Sequence, residues 1–287
     1  MKIIKWVAAI LILNVSCLSQ AKNAEPQVIP KISVQLWSVK NELKQDFKGT
    51  LQKISAMGFA GVEFAGDFGP YKNDAPGLKR FLDSLNLQVS AAHVRFSAFD
   101  EDNFAKSVAF YKALATDTLI IPGDPRSADI EQIDSFISDL NELFVKLKSQ
   151  GFKFGFHNHD KEFNQHKAAT FWDHIARSTP KDFVLQMDVG WVTYADKNPV
   201  TYIERYPGRT LTTHIKAKLP NTEQDFTGKR QIVGDDVTDW NAVLNAEIAV
   251  GGTVWFVVEQ EEYPDGLSPL DAVKLSKQGL DKIISGL

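Results

Sequence analysis

Two kinds of segment alternate along this chain, and they differ in the spacing of their hydrophobic positions. From Lys31 onward, short and nearly continuous apolar runs are separated by longer stretches in which apolar residues recur every three or four positions. Continuous apolar runs are typical of parallel strands that are covered on both faces. The runs predict eight strands, at Ile32–Trp37, Val62–Phe64, Val89–Val94, Thr118–Ile121, Lys153–His157, Val184–Asp188, Leu211–Ile215 and Val254–Val258.

The stretches between the runs have helical periodicity. Leu140, Leu143, Phe144 and Leu147, for example, fall on one face of a helix. Several of these stretches end at a glycine such as Gly151, which adopts the left-handed conformation that terminates many helices. The predicted helices are Phe47–Met57, Gly77–Leu85, Asn103–Ala115, Glu131–Gln150, Thr170–Ser178, Pro199–Tyr206, Trp240–Val250 and Leu267–Ile284.

Eight strand–helix units in one register predict a single (β/α)8 TIM barrel, an α/β fold of about 250 residues, here at residues 31–287. A doubly wound open sheet is the alternative. That fold carries a glycine-rich phosphate loop after an early strand, whereas Gly58 and Gly61 precede their strand. The barrel is therefore the better interpretation.

The composition narrows the class of protein. The 287 residues are 44% hydrophobic, 11% aromatic and 24% charged, which excludes a disordered chain because there is ample apolar surface to bury. The formal net charge of −4 argues against a nucleic-acid partner, since proteins that bind nucleic acids usually present a basic face. The single cysteine, Cys17, excludes an internal disulfide and a zinc site made of thiolates.

The N-terminal segment has the pattern of a secretory signal. Lys2 and Lys5 precede an apolar run, Trp6–Val15, and small residues follow it up to Ala21. The run is shorter than the ~20 residues that span a bilayer, so the pattern predicts a cleaved signal peptide rather than a stable membrane span.

This interpretation divides the N-terminus into a signal peptide at residues 1–21 and a short linker at residues 22–30. It predicts an exported, periplasmic protein. A lipoprotein acylated at Cys17 is the alternative, although Asn14 stands where a lipobox prefers leucine.

Ionisable side chains collect at the carboxyl ends of the predicted strands, where TIM barrels build their active sites. In chain order the strand-end residues are Trp37, Glu63, His93, Pro122, His157, Asp188, His214 and Glu259. Carboxylates that converge on a barrel mouth repel one another unless a cation compensates them. Two imidazoles and two carboxylates suit a divalent ion such as Mn, Co, Zn, Fe or Mg. The pattern therefore predicts one metal ion held by His157, Asp188, His214 and Glu259.

Other residues follow these positions closely enough to reach a substrate. Lys216 and Lys218 come directly after His214, and Glu162 follows the His157 segment. Trp37 and Trp191 would supply flat apolar walls that suit the C–H faces of a sugar ring. Each of these residues alone is also compatible with ordinary packing or a solvated loop.

Taken together, the strand-end motifs resemble those of the xylose isomerase-like TIM-barrel superfamily of sugar phosphate isomerases and epimerases, over essentially the whole chain after the N-terminal segment. The motifs are Val34-Gln35-Leu36-Trp37-Ser38, Met57-Gly58-Phe59-Ala60-Gly61-Val62-Glu63, Ala92-His93, Phe156-His157-Asn158-His159-Asp160, Met187-Asp188-Val189-Gly190-Trp191, Thr213-His214-Ile215-Lys216 and Val257-Val258-Glu259-Gln260-Glu261.

The resemblance implies a divalent metal held by Glu, Asp, His and Glu at the ends of strands five to eight. Asp188, His214 and Glu259 match three of these positions, and His157 stands where many members have Glu. Trp191 also replaces the histidine of the usual Asp-x-Gly-His, and Ala217 replaces the aspartate of His-x-Lys-Asp. The His-x-His element looks more like that of inosose dehydratase and related keto-sugar lyases.

The resemblance further implies that the metal stabilises an enediolate formed when a sugar loses a proton next to its carbonyl. Glu162, His159 and Lys216 are the candidates for the catalytic acid or base. The candidates for contact with a small carbohydrate substrate are Trp37, Glu63, His93, Asn158, Trp191 and Lys218.

Three functions follow as expectations. The first is a metal-dependent isomerase or epimerase of a non-phosphorylated sugar, since an exported enzyme rarely meets sugar phosphates. The second is a lyase or dehydratase that acts on a keto-sugar or a 3-keto-glycoside, and the third is a barrel that binds carbohydrate without catalysis. The sequence leaves the oligomeric state open.

Overall fold

A computed structural model describes residues 28–222 and 224–287 of the chain. The predicted signal peptide, including Cys17, and most of the predicted linker therefore lie outside the described residues. Within them, none of the helices combines the length and apolar character that a membrane crossing requires.

Eight parallel strands close into a barrel. They pair in the order β1-β10-β9-β8-β5-β4-β3-β2, and β2 pairs again with β1. Their bounds are β1 Lys31–Gln35, β2 Gly61–Phe64, β3 Gln88–His93, β4 Thr118–Ile121, β5 Lys153–His157, β8 Val184–Asp188, β9 Thr212–Ile215 and β10 Trp255–Val258. A small antiparallel ribbon of β6 (Gln165–His166) and β7 (Ala169–Thr170) lies outside the barrel sheet.

Helices follow the strands and surround them. Their bounds are α1 Lys40–Gln45, α2 Phe47–Ala56, α3 Ala75–Ser84, α4 Phe104–Ala113, α5 Ile133–Ser149, α6 Phe171–Ser178, α7 Val189–Tyr194, α8 Pro199–Arg205, α9 Trp240–Ala246 and α10 Pro269–Ile284. A π-helical turn, Glu247–Gly251, continues α9 and ends at Gly252, whose φ of 74° is left-handed.

The core lies between the strands and the helices. The longest of the described helices, α5, shows the principle, because Phe136, Leu140 and Leu147 are all buried along one of its faces. The ring of Phe136 meets that of Phe156 on β5 with 5.1 Å between the centroids. Burying one such side chain contributes about 1.5–3 kcal/mol, so the apolar periodicity of each helix also fixes its orientation on the barrel.

The structure confirms the predicted single (β/α)8 barrel. The strands β4, β5 and β8 have the predicted bounds. The prediction of a first strand that reaches Trp37 is wrong, because β1 ends at Gln35 and Trp37 lies in a 3-10 turn, Leu36–Val39.

Candidate active site

The carboxyl ends of the strands open into one large cavity of about 1280 Å³. Its floor includes His93 from β3, His157 from β5 and Lys216 and Glu259, which follow β9 and β10. The loops after β2, β3 and β4 form its outer walls. The cavity is therefore at the end of the barrel where the sequence analysis expects chemistry.

The four residues predicted to hold a metal lie together on the cavity floor. One potential ligand atom from each of His157, Asp188, His214 and Glu259 lies within 4.8 Å of all the others. Nδ1 of His214 is 2.6 Å from Oε2 of Glu259, and Nε2 of His157 is 3.7 Å from Oδ2 of Asp188. All four residues are buried, so the barrel sequesters the cluster from bulk water.

A divalent cation fits this cluster. Oδ2 of Asp188 is buried and accepts no hydrogen bond from the described residues. The Lys216 ammonium lies 3.1 Å from it, but one lysine offsets only part of the negative charge of Asp188 and Glu259, and buried carboxylates are costly unless they are compensated. Atoms that share one cation at about 2.1 Å lie roughly 3–4 Å apart, which is close to the separations in the cluster. A mixed set of imidazole and carboxylate donors suits Zn, Mn, Fe or Co.

Lys216 adds a positive charge beside the cluster. Its Nζ lies 3.1 Å from Oδ2 of Asp188, 3.2 Å from Oε2 of Glu259 and 2.6 Å from Oε2 of Glu261. Burial works against a charged lysine, but the three carboxylates outweigh it and raise the pKa of Lys216 well above its usual range. The lysine thus stays cationic on the cavity floor.

Beneath the cluster, Glu63 is fully buried at the centre of a hydrogen-bonded network. Nε2 of His214 lies 2.6 Å from its carboxylate, Nε2 of His93 lies 3.0 Å away, and Gln35 and Gln186 each donate an amide N–H to it. A register shift in the pairing of β2 with β3 falls at Glu63, and such irregularities re-aim side chains near functional sites.

The surroundings set the charge of this network. Burial would raise the pKa of Glu63, but His214 and His93 lower it far below the usual range. Burial would likewise lower the pKa of His214, but Glu63 and Glu259 raise it to about 10. Burial lowers the pKa of His157, and the neighbouring His214 lowers it further, so His157 presents a neutral imidazole.

Two members of this network, Gln35 and Gln186, were not among the predicted site residues. Both are fully buried. The Oε1 atom of Gln186 lies 2.7 Å from Nε2 of His93 and 3.2 Å from Nδ1 of His157, and so it orients two imidazoles. The sequence feature that could have revealed Gln35 and Gln186 is the position of each amide in a largely apolar strand.

The predicted acid–base candidates occupy different positions. His159 and Lys216 line the cavity, and the ring of His159 has no hydrogen-bond partner among the described residues. The carboxylate of Glu162 does not line the cavity. It accepts hydrogen bonds from the Ser127 hydroxyl and from the backbone N–H of His159 at 2.8 Å, and so it fixes the loop that carries His159.

The predicted substrate contacts also divide into two groups. Trp37 and His93 line the cavity, whereas Glu63, Asn158, Trp191 and Lys218 do not. The side chain of Asn158 bonds both the N–H and the carbonyl of Asp188, at 2.9 and 3.2 Å. This amide therefore holds the backbone of a predicted ligand.

Trp37, Trp191 and Lys218 are connected at the cavity mouth through Glu261 and Glu262. Trp37 donates its indole N–H to Glu261 at 3.1 Å, the same carboxylate that Lys216 contacts. Lys218 lies over the ring of Trp191 at 4.0 Å and pairs with Glu262. These pairs tie the loop after β10 to both sides of the cavity mouth.

Comparisons with known proteins agree with this architecture. A family model described as “Xylose isomerase-like TIM barrel” matches residues 51–284. An inosose dehydratase from Clostridium botulinum (strain Alaska E43 / Type E3) is 22% identical over 261 residues, which cover 78% of this chain and 85% of that relative. An inosose dehydratase from Lacticaseibacillus casei is also 22% identical, over 82% of this chain and 89% of its own length.

Solved structures share the fold. A sugar phosphate isomerase/epimerase from Parabacteroides distasonis ATCC 8503 superposes with a TM-score of 0.69 at 22% identity, covering 94% of this chain and 98% of that chain. The IOLI protein “with a binding zinc atom” superposes with a TM-score of 0.65 at 15% identity, covering 89% and 98%.

The comparisons also correct the predicted location. The curated relatives that match the chain are named inosose dehydratases, and on this finding the prediction of an exported, periplasmic protein, or of a lipoprotein acylated at Cys17, is wrong. The lysines and the apolar run on which that prediction rests lie outside the described residues.

Proposed function

Because the chain belongs to the xylose isomerase-like TIM barrel family, we propose that this enzyme removes the proton next to the carbonyl of a keto-sugar and then expels a neighbouring oxygen substituent. The activity is thus that of a carbon–oxygen lyase. The observation that carries the proposal is the buried cluster of His157, Asp188, His214 and Glu259, with Lys216 and His159 beside it in one cavity. The curated relatives named as dehydratases support this choice of reaction.

The proposal includes one divalent cation, for which His157, Asp188, His214 and Glu259 are the residues that would hold it. When bound, such a cation acts as a Lewis acid that polarises a carbonyl and makes the adjacent C–H more acidic. Glu63 and Gln186 would orient the imidazoles through their second nitrogens, as partners of metal-binding histidines commonly do.

Lys216 supplies a fixed positive charge. Its Nζ is held by three carboxylates on the cavity floor, so it is an N–H donor rather than a base. In the proposal it donates a hydrogen bond to a sugar oxygen as negative charge develops there. A charge that is already positioned in a water-poor site stabilises such a transition state efficiently.

His159 is the proposed base. Its ring lines the cavity, and Glu162 fixes the loop beneath it through the backbone N–H. A ring nitrogen takes the proton from the carbon, and the C–H electrons form a carbon–carbon double bond as the neighbouring C–O bond breaks. The imidazolium then returns the proton to the departing oxygen, so that the elimination is balanced without any oxidant.

An isomerase or epimerase is the second candidate. The same proton abstraction leads to it if the proton returns to a carbon instead of a departing oxygen. The position of His159 at the cavity favours keeping this candidate, because the imidazolium formed by proton abstraction can return its proton to a neighbouring carbon.

The test is exchange of deuterium from D2O into a panel of keto-sugars, followed by product analysis, with the full chain and added Mn, Co, Zn, Fe or Mg. We expect chelator-sensitive exchange with loss of water or of a substituent. His159→Ala should abolish both, and His174→Ala should abolish neither, because His174 lies on α6 and pairs with Asp134. Exchange without elimination would identify an isomerase, and a barrel that binds sugars without any exchange would contradict the proposal.

A further inference from the structure

The cavity extends well beyond the cluster on its floor. Its volume of about 1280 Å³ exceeds the 300–1,000 Å³ that usually encloses a drug-sized ligand, and one sugar ring fills only a small part of it. The unfilled part lies toward the loops after β2 and β3 and the start of α4. We call this region the outer lobe and define it by Phe68, Lys72, Arg95, Phe96, Lys106 and Phe110, all of which line the cavity.

Aromatic rings give the outer lobe flat walls. Phe68 and Phe110 meet edge to face, with 4.7 Å between their centroids, and Phe96 packs against Phe136 at 6.2 Å. All three lining rings are only partly buried, so each retains a surface toward the cavity. Such surfaces favour another planar, apolar group.

Two neutral polar side chains beside the outer lobe, Asn103 and Ser107, already bond the protein backbone. Nδ2 of Asn103 donates to the carbonyl of Ser97 at 3.1 Å, and the Ser107 hydroxyl donates to the carbonyl of Ala98 at 2.6 Å. Both side chains thus bond the backbone of their own loop. The donors of the lobe that remain free of such bonds include the cationic groups of Lys72, Arg95 and Lys106, and charge-assisted hydrogen bonds favour an anionic ligand over a neutral sugar.

The outer lobe also carries an uncompensated positive charge. Lys72, Arg95 and Lys106 are exposed on its wall, and no carboxylate within 4 Å pairs with any of them among the described residues. The acidic residues of the same cavity already have partners. Asp124 pairs with Arg126, and Glu259 and Glu261 pair with Lys216.

From these observations we infer that the outer lobe is a subsite for an aromatic leaving group that bears a negative charge. The substrate is then a keto-glycoside in which the sugar lies over the cluster and an acidic aryl group lies in the outer lobe. This inference rests on the proposed lyase function. The C–O bond to the aryl group breaks, and the aryl oxygen takes the proton that left the sugar carbon, so that the products are an unsaturated keto-sugar and a phenol.

Binding of matched, unreactive glycosides to the full chain tests the subsite separately from turnover. The probes are 4-carboxyphenyl β-glucoside and its neutral isostere 4-carbamoylphenyl β-glucoside, which keep an intact sugar and are not consumed. We expect the acid to bind about three- to tenfold tighter than the amide, and the preference to shrink as salt is added.

The variants Arg95→Gln and Lys106→Gln should each reduce that preference. Lys112→Gln is the matched control, because Lys112 is exposed on the same helix as Lys106 and does not line the cavity. Equal affinity for acid and amide in the native protein, or a preference that survives both substitutions, would overturn the subsite. Tighter binding of a neutral disaccharide than of either aryl glycoside would also overturn it.

The two proposals fail in different ways. If the acid is preferred but no keto-sugar or keto-glycoside exchanges deuterium, the lyase function is wrong and the subsite stands as a binding site. If keto-sugars are turned over but the two aryl probes bind equally, the function stands and the subsite is wrong.

Discussion

Two fully buried glutamates, Glu63 and Glu247, lie in different surroundings, and their pKa values are shifted in opposite directions. Glu63 is near the cavity and receives N–H groups from His214, Gln35 and Gln186. Glu247 is in the π-helical turn after α9, between the helix layer and the strands β9 and β10, and only threonine hydroxyls contact its carboxyl group among the described residues. Equal burial therefore accompanies a strongly lowered pKa at Glu63 and a raised pKa at Glu247, which is protonated below about pH 7.

The hydrogen bonds around Glu247 explain why its carboxyl group keeps a proton below about pH 7. The Thr210 and Thr253 hydroxyls each approach Oε2 of Glu247, but each also approaches a backbone carbonyl, that of Gly251 at 3.1 Å or of Thr210 at 2.7 Å. One hydroxyl proton cannot serve two acceptors, and a proton on Glu247 supplies the missing donor. Burial raises the pKa of Glu247 to about 7, while the threonine hydroxyls oppose the shift.

The difference teaches that burial alone does not decide the charge of a carboxyl group in this barrel, because the imidazoles of His214 and His93 outweigh burial at Glu63, whereas threonine hydroxyls do not outweigh it at Glu247. An anionic Glu63 orients His214 beneath the predicted metal cluster, so its role is in function. A neutral Glu247 joins the starts of β9 and β10 to a helix, so its role is in stability. Substitutions at the two positions should therefore have separable effects.

The largest expected effect is at His214, which connects Glu63 to the cluster. His214→Ala should lower the bound metal to background, because it removes a predicted ligand and leaves Glu63 buried without its strongest partner. Metal analysis after dialysis measures this. Glu247→Gln is the control and should keep the metal content of the native protein; retention of full metal by His214→Ala would show that the ligand assignment is wrong.

The next effect is at Glu63 itself. Glu63→Gln should reduce metal affinity or activity by about 10–100-fold, the usual cost of losing a carboxylate that orients a metal-binding histidine. Metal titration and deuterium exchange with a keto-sugar measure it. If Glu63→Gln and Glu247→Gln impair activity equally, the functional distinction between the two carboxyl groups disappears.

The pH dependence of stability should distinguish Glu247. The folded state binds its proton more tightly than the unfolded state, since the pKa rises from 4.5 to about 7. The proton on Glu247 therefore stabilises the folded state fully below about pH 4.5, and this stabilisation is lost as pH rises to about 7. In total, the free energy of unfolding falls by about 3 kcal/mol over this range.

The free energies of unfolding of the native protein and of Glu247→Gln are measured by denaturant at pH 5 and pH 8. All other titratable groups are common to both proteins, so the difference between the two free energies isolates the contribution of Glu247. The native protein should lose stability relative to the variant between the two pH values. A constant difference would mean that Glu247 is ionised throughout.

The smallest effect is at Thr213, whose hydroxyl donates to Oε1 of Glu247 at 2.7 Å. Thr213→Val should cost about 1 kcal/mol of unfolding free energy and shift the titration of Glu247 to higher pH. Thr213→Ser keeps the hydroxyl and should keep the native titration. If the pH midpoint of the Glu247 titration is unchanged in Thr213→Val, the Thr213 hydroxyl does not contribute to the pKa of Glu247.

Much of this architecture follows from local pattern. The apolar runs and helical periodicity predict the barrel, and the strand ends predict the cluster of His157, Asp188, His214 and Glu259, because parallel strands bring their carboxyl ends together. The metal itself and the catalytic roles stay predictions. Those residues were accessible to sequence reasoning because ionisable groups at strand ends are conspicuous.

Other features depend on tertiary contacts that no local pattern contains. Gln186 lies two positions before Asp188 and so shares its face of the strand, but a lone amide does not reveal that it serves both His93 and His157. The short helix α7 was also missed, because its six residues follow directly on β8. Its first turn is capped by Asp188, which accepts from the N–H of Trp191 at 3.0 Å.

The pairing of the first strand with the last closes the ring next to the cluster. Lys31 to Val34 pair with Trp255 to Val258, and Ser38 holds the N–H of Gln260 beside that junction. Glu259 directly follows β10, so the strand that closes the ring also places the fourth residue of the cluster. Loss of β10 would therefore open the seam between β1 and β9 and remove Glu259 from the cluster together.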